Sequence, residues 1–244
     1  MFYDKLKIYI DMEISIWSDI RCPFCYIGKR KFEAALDKFV HKDKVKVVWK
    51  AFELDPHLQT RPDIMTLAHF CDTKGVGEEQ ALQMFGHAIA MGKEVGIDFN
   101  FEDSVVANSL NGHRLIKYAN GIGLASEMKE ALLKAHFILG KNIDDIDFLL
   151  ELAESKGLDR EETQKMLVSD DFTYEVRQDG MEARNLGING VPFFVVDNKY
   201  GISGAQPTET FLEALEQAWA SKAEGNVQAV SGSEGSCTID GECE

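Results

Sequence analysis

The spacing of apolar and polar positions divides this chain into a strand-bearing opening, a long helical middle and a strand-bearing close. Residues 13–18 (EISIWS) alternate in strand fashion, and residues 46–51 (KVVWKA) read as a second strand. Between them Phe32, Ala35, Leu36 and Phe39 recur at helical intervals. A strand, a helix and a strand within about forty residues make a βαβ unit, which implies parallel strands and a right-handed crossover. From Asp63 to Val168 the pattern is helical, with no convincing strand. Ala81, Leu82, Phe85, Ala88, Ile89 and Val95 form one stripe, and Leu110, Leu115, Tyr118 and Ala119 suggest another. Leu124, Met128, Ala131, Leu132, Ala135 and Leu139 form a third, followed by Ile146, Leu149, Leu150 and Ala153. Such stripes are the faces by which helices pack on one another. Asp159 with Glu162 three positions on has the form of a capping box, opening a short helix that ends near Val168.

Strand chemistry returns late. Phe172, Val176, Ala183 and Leu186 mark a helix closed by Gly187, and residues 191–196 and 200–203 form a hairpin around Asp197, Asn198 and Lys199. Pro207 suits a first helical turn, with Phe211, Leu212, Leu215, Ala218 and Trp219 facing the core. This order predicts an α/β fold: one sheet built from both chain ends, residues 12–62 and 170–222, around an inserted helical subdomain at 63–169. Residues 1–11 read as an upstream extension or the sign of an alternative start, with Met12 just before the first strand, and 223–244 as a flexible Gly/Ser/Glu-rich tail carrying a second cysteine pair.

Composition narrows the function. The 41 acidic against 26 basic residues give a formal charge of −15, which repels a phosphate backbone. The one basic cluster, Lys29-Arg30-Lys31, reads as the solvated face of a helix. No apolar run approaches the ~18 residues of a membrane span, and the opening residues lack a signal-peptide pattern. The expectation is a cytoplasmic protein with no nucleic-acid or membrane partner and an oligomeric state left open. In that compartment static disulfides are rare, so the five cysteines are redox-active, metal-binding or buried thiols.

Cys22-Pro23-Phe24-Cys25 stands where a strand ends and a helix begins. Unpaired N–H groups and the helix dipole favour a thiolate there, so the Cys22 pKa should fall below its free value of about 8.5. Cys25, one turn further in, can reach the Cys22 sulfur while shielded from outside attack. Cys22 then attacks a substrate disulfide and Cys25 resolves the mixed disulfide. The rival is a zinc knuckle, which a C-P-x-C turn can also make. Zinc ribbons place such turns on hairpins, whereas a long amphipathic helix follows here, and the second cysteine pair is far away in the tail.

The sequence resembles the DsbA-like branch of the thioredoxin superfamily, and within it cytoplasmic FrnE-type proteins, from Glu13 to Trp219. The likeness rests on SDIRCPFCYIG (residues 18–28), AFELDP (51–56), NSLNGHRL (108–115), GVPFFVV (190–196) and YGISGAQP (200–207), in that order and spacing. It implies a thioredoxin-like fold with an inserted all-helical subdomain and disulfide oxidoreductase or isomerase activity on protein or small disulfides. It further implies a cis Pro192 packed on the dithiol, and Val191 offering its backbone to an extended substrate, with Pro23 and Phe24 completing the substrate surface. No cofactor or metal is implied; glutathione is a candidate redox co-substrate. Phe24 stands where periplasmic oxidants of this branch commonly carry a histidine, which predicts a less oxidising pair. A kappa-like branch binds glutathione through a serine in place of the first cysteine, which the presence of both Cys22 and Cys25 opposes. The alternative in another class is a redox-switched binding or chaperone-like module.

Asp19 and Glu53 are candidate proton acceptors for Cys25, with a cap or turn role as the alternative for Asp19. His113, beside Arg114, reads as a structural histidine, and Cys71 as a small buried apolar residue. Cys237 and Cys243 are a candidate secondary redox pair: a tether of about fifteen residues reaches roughly 20 Å. A metal-scavenging tail and an incidental one are the other readings.

Overall fold

In the computed structural model, described for residues 12–224 and 237–238, the chain opens as β1 (Met12–Ser18), turns into α1 (Pro23–Lys38) and returns through a short 3-10 helix as β2 (Val45–Ala51). An inserted block follows: β3 (Arg61–Met65), α2 (Thr66–Lys74), α3 (Glu78–Glu94), β4 (Val105–Val106), α4 (Leu110–Asn120), α5 (Ala125–Phe137), α6 (Ile146–Ser155) and α7 (Arg160–Val168). Helix α8 (Thr173–Asn185) leads back to β5 (Gly190–Val191), β6 (Phe193–Val196), β7 (Tyr200–Ser203) and α9 (Thr208–Glu224), and β8 (Cys237–Thr238) comes last. The main sheet has the order β2-β1-β6-β7, with β1 and β2 parallel and the other pairs antiparallel. The chain ends thus meet in one sheet, as the βαβ…αββα pattern predicts. Among the described residues no helix is long and apolar enough to cross a membrane.

Sheet and helices close around aromatic packing. Phe194 of β6 meets Phe32 of α1 and Phe211 of α9 at ring-centroid separations of 5.5 and 4.6 Å. All three rings are essentially removed from water, each worth roughly 2–3 kcal/mol. The β6–β7 turn uses Asp197 and Asn198 at φ 53° and 54°, the left-handed pair that a tight hairpin requires and that short polar side chains tolerate. Asp159 accepts the N–H of Glu162 at 2.9 Å, capping α7.

The insert docks through the NSLNGHRL segment. A Cβ on Gly112 would lie 2.6 Å from Ile20, so only glycine lets α4 approach the loop after β1 this closely. Arg114, nearly buried, donates to the carbonyls of Met166, Leu167, Ser169 and Asp171 at 2.5–3.2 Å, tying α4 to the loop that returns the chain to α8. Arg114→Met strands those carbonyls and is expected to lower unfolding stability by about 3 kcal/mol, read as a drop in urea midpoint without a change of slope.

Four expectations change. The insert contains strands after all: β3 and β4 pair antiparallel through an irregular register. Two residues of β4 and an exposed β3 carry no readable alternation. The basic triplet is not a solvated face. Lys29 is buried and bridges Glu33 and Glu130 at 2.7 Å, Arg30 pairs with Glu130, and Lys31 donates to the Ala205 carbonyl at 3.2 Å. These charges fasten α1 to α5 and to the loop after β7. Leu82, Leu139 and Leu186, assigned to apolar stripes, are exposed, lying at the edges of their helical faces or beyond the helix ends. Cys71 is half-buried rather than buried. Residues 1–11 lie outside the described residues.

Candidate active site

Strand β1 runs into a turn at Asp19, and the chain enters α1 with Cys22 as N-cap and Pro23 at the first helical position, where its missing N–H costs no bond. One turn in, Cys25 comes within 3.7 Å of Cys22. Both are buried. The residues predicted to face them arrive from the other end of the chain. The Val191–Pro192 peptide bond is cis, Cys22 Sγ donates to the Val191 carbonyl at 3.5 Å, and Pro192 sits against α1. A Cβ on Gly28 would stand 2.9 Å from Pro192 Cγ, so the SDIRCPFCYIG segment needs its glycine for this contact. Pro192 interrupts what the sequence reads as one strand, separating β5 from β6, because it has no N–H to give to a ladder.

Burial reverses one expectation. Removal from water pushes the Cys22 thiol well above its ordinary pKa, and the adjoining Cys25 sulfur adds to the rise. The Cys25 backbone N–H works the other way, as a helix start should, and is outweighed. Position at a helix N-terminus is legible in sequence; the loss of solvent over the sulfur is not.

The carboxylates also divide. Asp19, fully buried, is disfavoured as an anion by burial, but hydrogen bonds outweigh that and hold it ionised well below the usual carboxylate range. Arg21 N–H donates to it at 3.1 Å, Leu54 N–H at 2.8 Å, and His113 Nε2 lies 3.3 Å away. His113 is thus a buried partner of Asp19. Glu53 pairs with Arg177 through Oε2, while its buried Oε1 has no hydrogen-bond partner. Burial raises its pKa to about 7, with Arg177 opposing.

A residue that sequence reasoning passed over completes the floor of the site. Lys129 of α5 is 1% exposed, donates to the Ser18 carbonyl at 3.1 Å and lies over the Trp49 ring. Burial lowers its pKa to about 8, and the anionic forms of Cys25, Asp19 and Cys22 pull it back up. The signal was present: Lys129, Leu133 and His136 fall on one face of α5, and all three are buried. The tail approaches too. Strand β8 pairs antiparallel with β5, setting Cys237 opposite Val191. Cys243 lies outside the described residues.

Residues 13–216 match the DSBA-like thioredoxin domain. The chain belongs to that family. Among solved structures, this DSBA-like chain superposes on the probable DsbA oxidoreductase SCO1869 of Streptomyces coelicolor with a TM-score of 0.80 and 37% identity, over 96% of this chain and 98% of that one. The uncharacterized protein YwbO of Bacillus subtilis (strain 168) is 29% identical over 84% of this chain and 96% of its own length. The fold is shared with the cytosolic disulfide reductase DsbM of Pseudomonas aeruginosa, solved also with GSH, at a TM-score of 0.58 and 16% identity over 87% of this chain and 98% of that one. Membership in a DsbA-like oxidoreductase family and the thioredoxin-like fold with a helical insertion stand on these matches and on the sheet described above.

Proposed function

We propose that this DSBA-like chain is a cytoplasmic thiol–disulfide oxidoreductase of FrnE type that works in the reducing or isomerising direction. The observation that carries this reading is the juxtaposition of Cys22, Cys25 and the Val191–Pro192 loop. Cys22 attacks a disulfide sulfur of a protein or small substrate, with Pro23, Phe24, Val191 and Pro192 forming the contact surface. Cys25 then attacks Cys22 and releases the reduced substrate. A strong oxidant owes its potential to a reduced form stabilised as a thiolate. Here burial and the Val191 carbonyl favour the protonated Cys22 thiol instead, which supports a reducing pair. Of the two candidate proton acceptors for Cys25, Glu53 suits the role, because its pKa of about 7 lets it exchange a proton near neutral pH. Asp19, held as an anion, anchors the turn.

No resident cofactor is needed for this exchange, and glutathione is a candidate electron donor. The test is turnover of insulin or scrambled ribonuclease together with the Cys22–Cys25 potential in a glutathione buffer. A potential in the thioredoxin range, about −270 mV, is expected; one near −120 mV reverses the direction proposed.

The tail belongs to the same reading. Pairing of β8 with β5 supports a second dithiol, Cys237 and Cys243, exchanging electrons with the first from a tethered position. Tethering of this kind raises local concentration to roughly millimolar. A chain ending at Lys222 is expected to lose about tenfold in turnover when glutathione is the donor; full activity of that chain in reductase and isomerase assays removes the relay.

A further inference from the structure

Beside the dithiol lies a cavity of about 670 Å³, within the size range of sites that enclose small organic ligands. Arg21, Pro23 and Phe24, the immediate chain neighbours of Cys22, form one end of it. The loop after β2, helices α2 and α3, the segment through β4 and the end of α5 form the rest. Its wall is aromatic: Phe70, Phe85 and Phe101 run in sequence with ring centroids 5.0 and 4.7 Å apart, and Phe137 stands 6.0 Å beyond Phe101.

Two polar groups in this wall lack partners. His136 is 6% exposed, and its Nδ1 has no hydrogen-bond partner. The Arg21 guanidinium makes no ion pair or hydrogen bond among the described residues, in a protein whose formal charge is −15. Asp55 is the one acidic residue of the lining, against Arg21 and Lys74. A buried imidazole nitrogen without a partner is costly unless a ligand completes it, and the half-buried Arg21 guanidinium, with no side-chain hydrogen bond among the described residues, stands in the same lining.

We propose that this cavity binds one half of a small disulfide that carries an aromatic body and an anionic group, and presents its sulfur to Cys22. The proposal rests on the oxidoreductase reading above and names its substrate class. The ring packs on the phenylalanine wall, and the anion meets Arg21 with His136 as a hydrogen-bonding neighbour. The Cys22 thiolate bonds to the near sulfur, the substrate S–S bond breaks, and the far half leaves as a thiolate that takes up a proton. Cys25 then bonds to Cys22 and expels the near half as a second thiol. The protein loses two electrons to form the Cys22–Cys25 bond, and the substrate gains two. Oxidised glutathione fits this wall poorly, because its peptide groups would lie unpaired against hydrocarbon.

The test uses pre-reduced full-length protein and measures the second-order rate of its oxidation by four disulfides. These are 5,5′-dithiobis(2-nitrobenzoate), neutral 4,4′-dithiodipyridine, oxidised glutathione and 2-hydroxyethyl disulfide. Each rate is divided by that of the same disulfide with dithiothreitol, which removes intrinsic reactivity. The normalised rate for the anionic aromatic compound is expected to exceed those of glutathione and hydroxyethyl disulfide by at least about tenfold, with dithiodipyridine between. Met84→Trp and Gln83→Trp, both narrowing the cavity from α3, should lower the ratio of aromatic to aliphatic rates. Arg21→Gln should lower the ratio of the nitrobenzoate to the dithiodipyridine. Equal normalised rates in the wild type overturn the proposal, as do ratios unmoved in folded variants. A protein oxidised by hydroxyethyl disulfide without aromatic preference keeps the oxidoreductase reading and loses this one. A protein that none of the four oxidises loses both.

Discussion

Cys22→Ser is expected to lower disulfide turnover by at least about 10³-fold, because a serine hydroxyl stays protonated at neutral pH and forms no sulfur–sulfur bond. Cys25→Ser should behave differently. Its Cys22 can still attack, but the thiol that stood 3.7 Å away to expel the substrate is gone, so mixed disulfides accumulate and turnover stops after one cycle. The measurement is insulin reduction paired with intact mass after a non-reducing quench. The serine variant at position 22 should show no adduct, the variant at position 25 one adduct per chain. Adducts on Cys22→Ser, or unimpaired cycling by Cys25→Ser, would assign the chemistry to other cysteines. Because burial raises the Cys22 pKa, single-turnover rates of the wild type should keep climbing with pH past the free-thiol value of about 8.5.

Lys129→Met should separate activity from stability. In the folded protein this ammonium has one hydrogen bond and no carboxylate within ion-pair distance among the described residues, and the anions that stabilise it include the thiolates of Cys25 and Cys22. Removing the charge makes thiolate formation harder. A rise of about one pKa unit cuts the rate at pH 7 about tenfold and moves the pH–rate profile upward by the same amount. Stability should move the opposite way, since replacing a buried, poorly paired charge by an apolar side chain of similar length is neutral or stabilising. Lys129 titrates near 8 when folded and at 10.5 when unfolded, so its burial costs about 3 kcal/mol below pH 8. Between pH 8 and 10.5 the unfolded chain binds more protons and that cost is relieved. The stability advantage of Lys129→Met should therefore be largest below pH 8 and fade by pH 10.5, measured by denaturant unfolding across that range. Lost activity with lost stability at every pH would mean that Lys129 serves packing alone.

Much of this was readable from local order. Strands β1 and β2 announce themselves by alternation, α3 to α6 by stripes whose period matches the helix turn, and α7 by its capping pattern. Cys22, Pro23 and Cys25 are neighbours in sequence, so their position at a helix start follows from the chain itself. Strands β3 and β4 were missed because pairing fixes them and their residues carry no period. The solvated reading of Lys29, Arg30 and Lys31 failed because Glu130 lies far along the chain, on a helix that the sequence does not orient.

Taken by itself, then, the sequence determined the α/β order, the helical insertion, and the placement of Cys22 and Cys25 at a helix start. These depend on short-range spacing, to which backbone geometry responds directly. Tertiary structure alone decided which groups surround the sulfurs: the Val191 carbonyl, the Lys129 ammonium, the split between Asp19 and Glu53, and the aromatic cavity. Loss of solvent and distance between charges set those properties, and both are sums over residues remote in sequence.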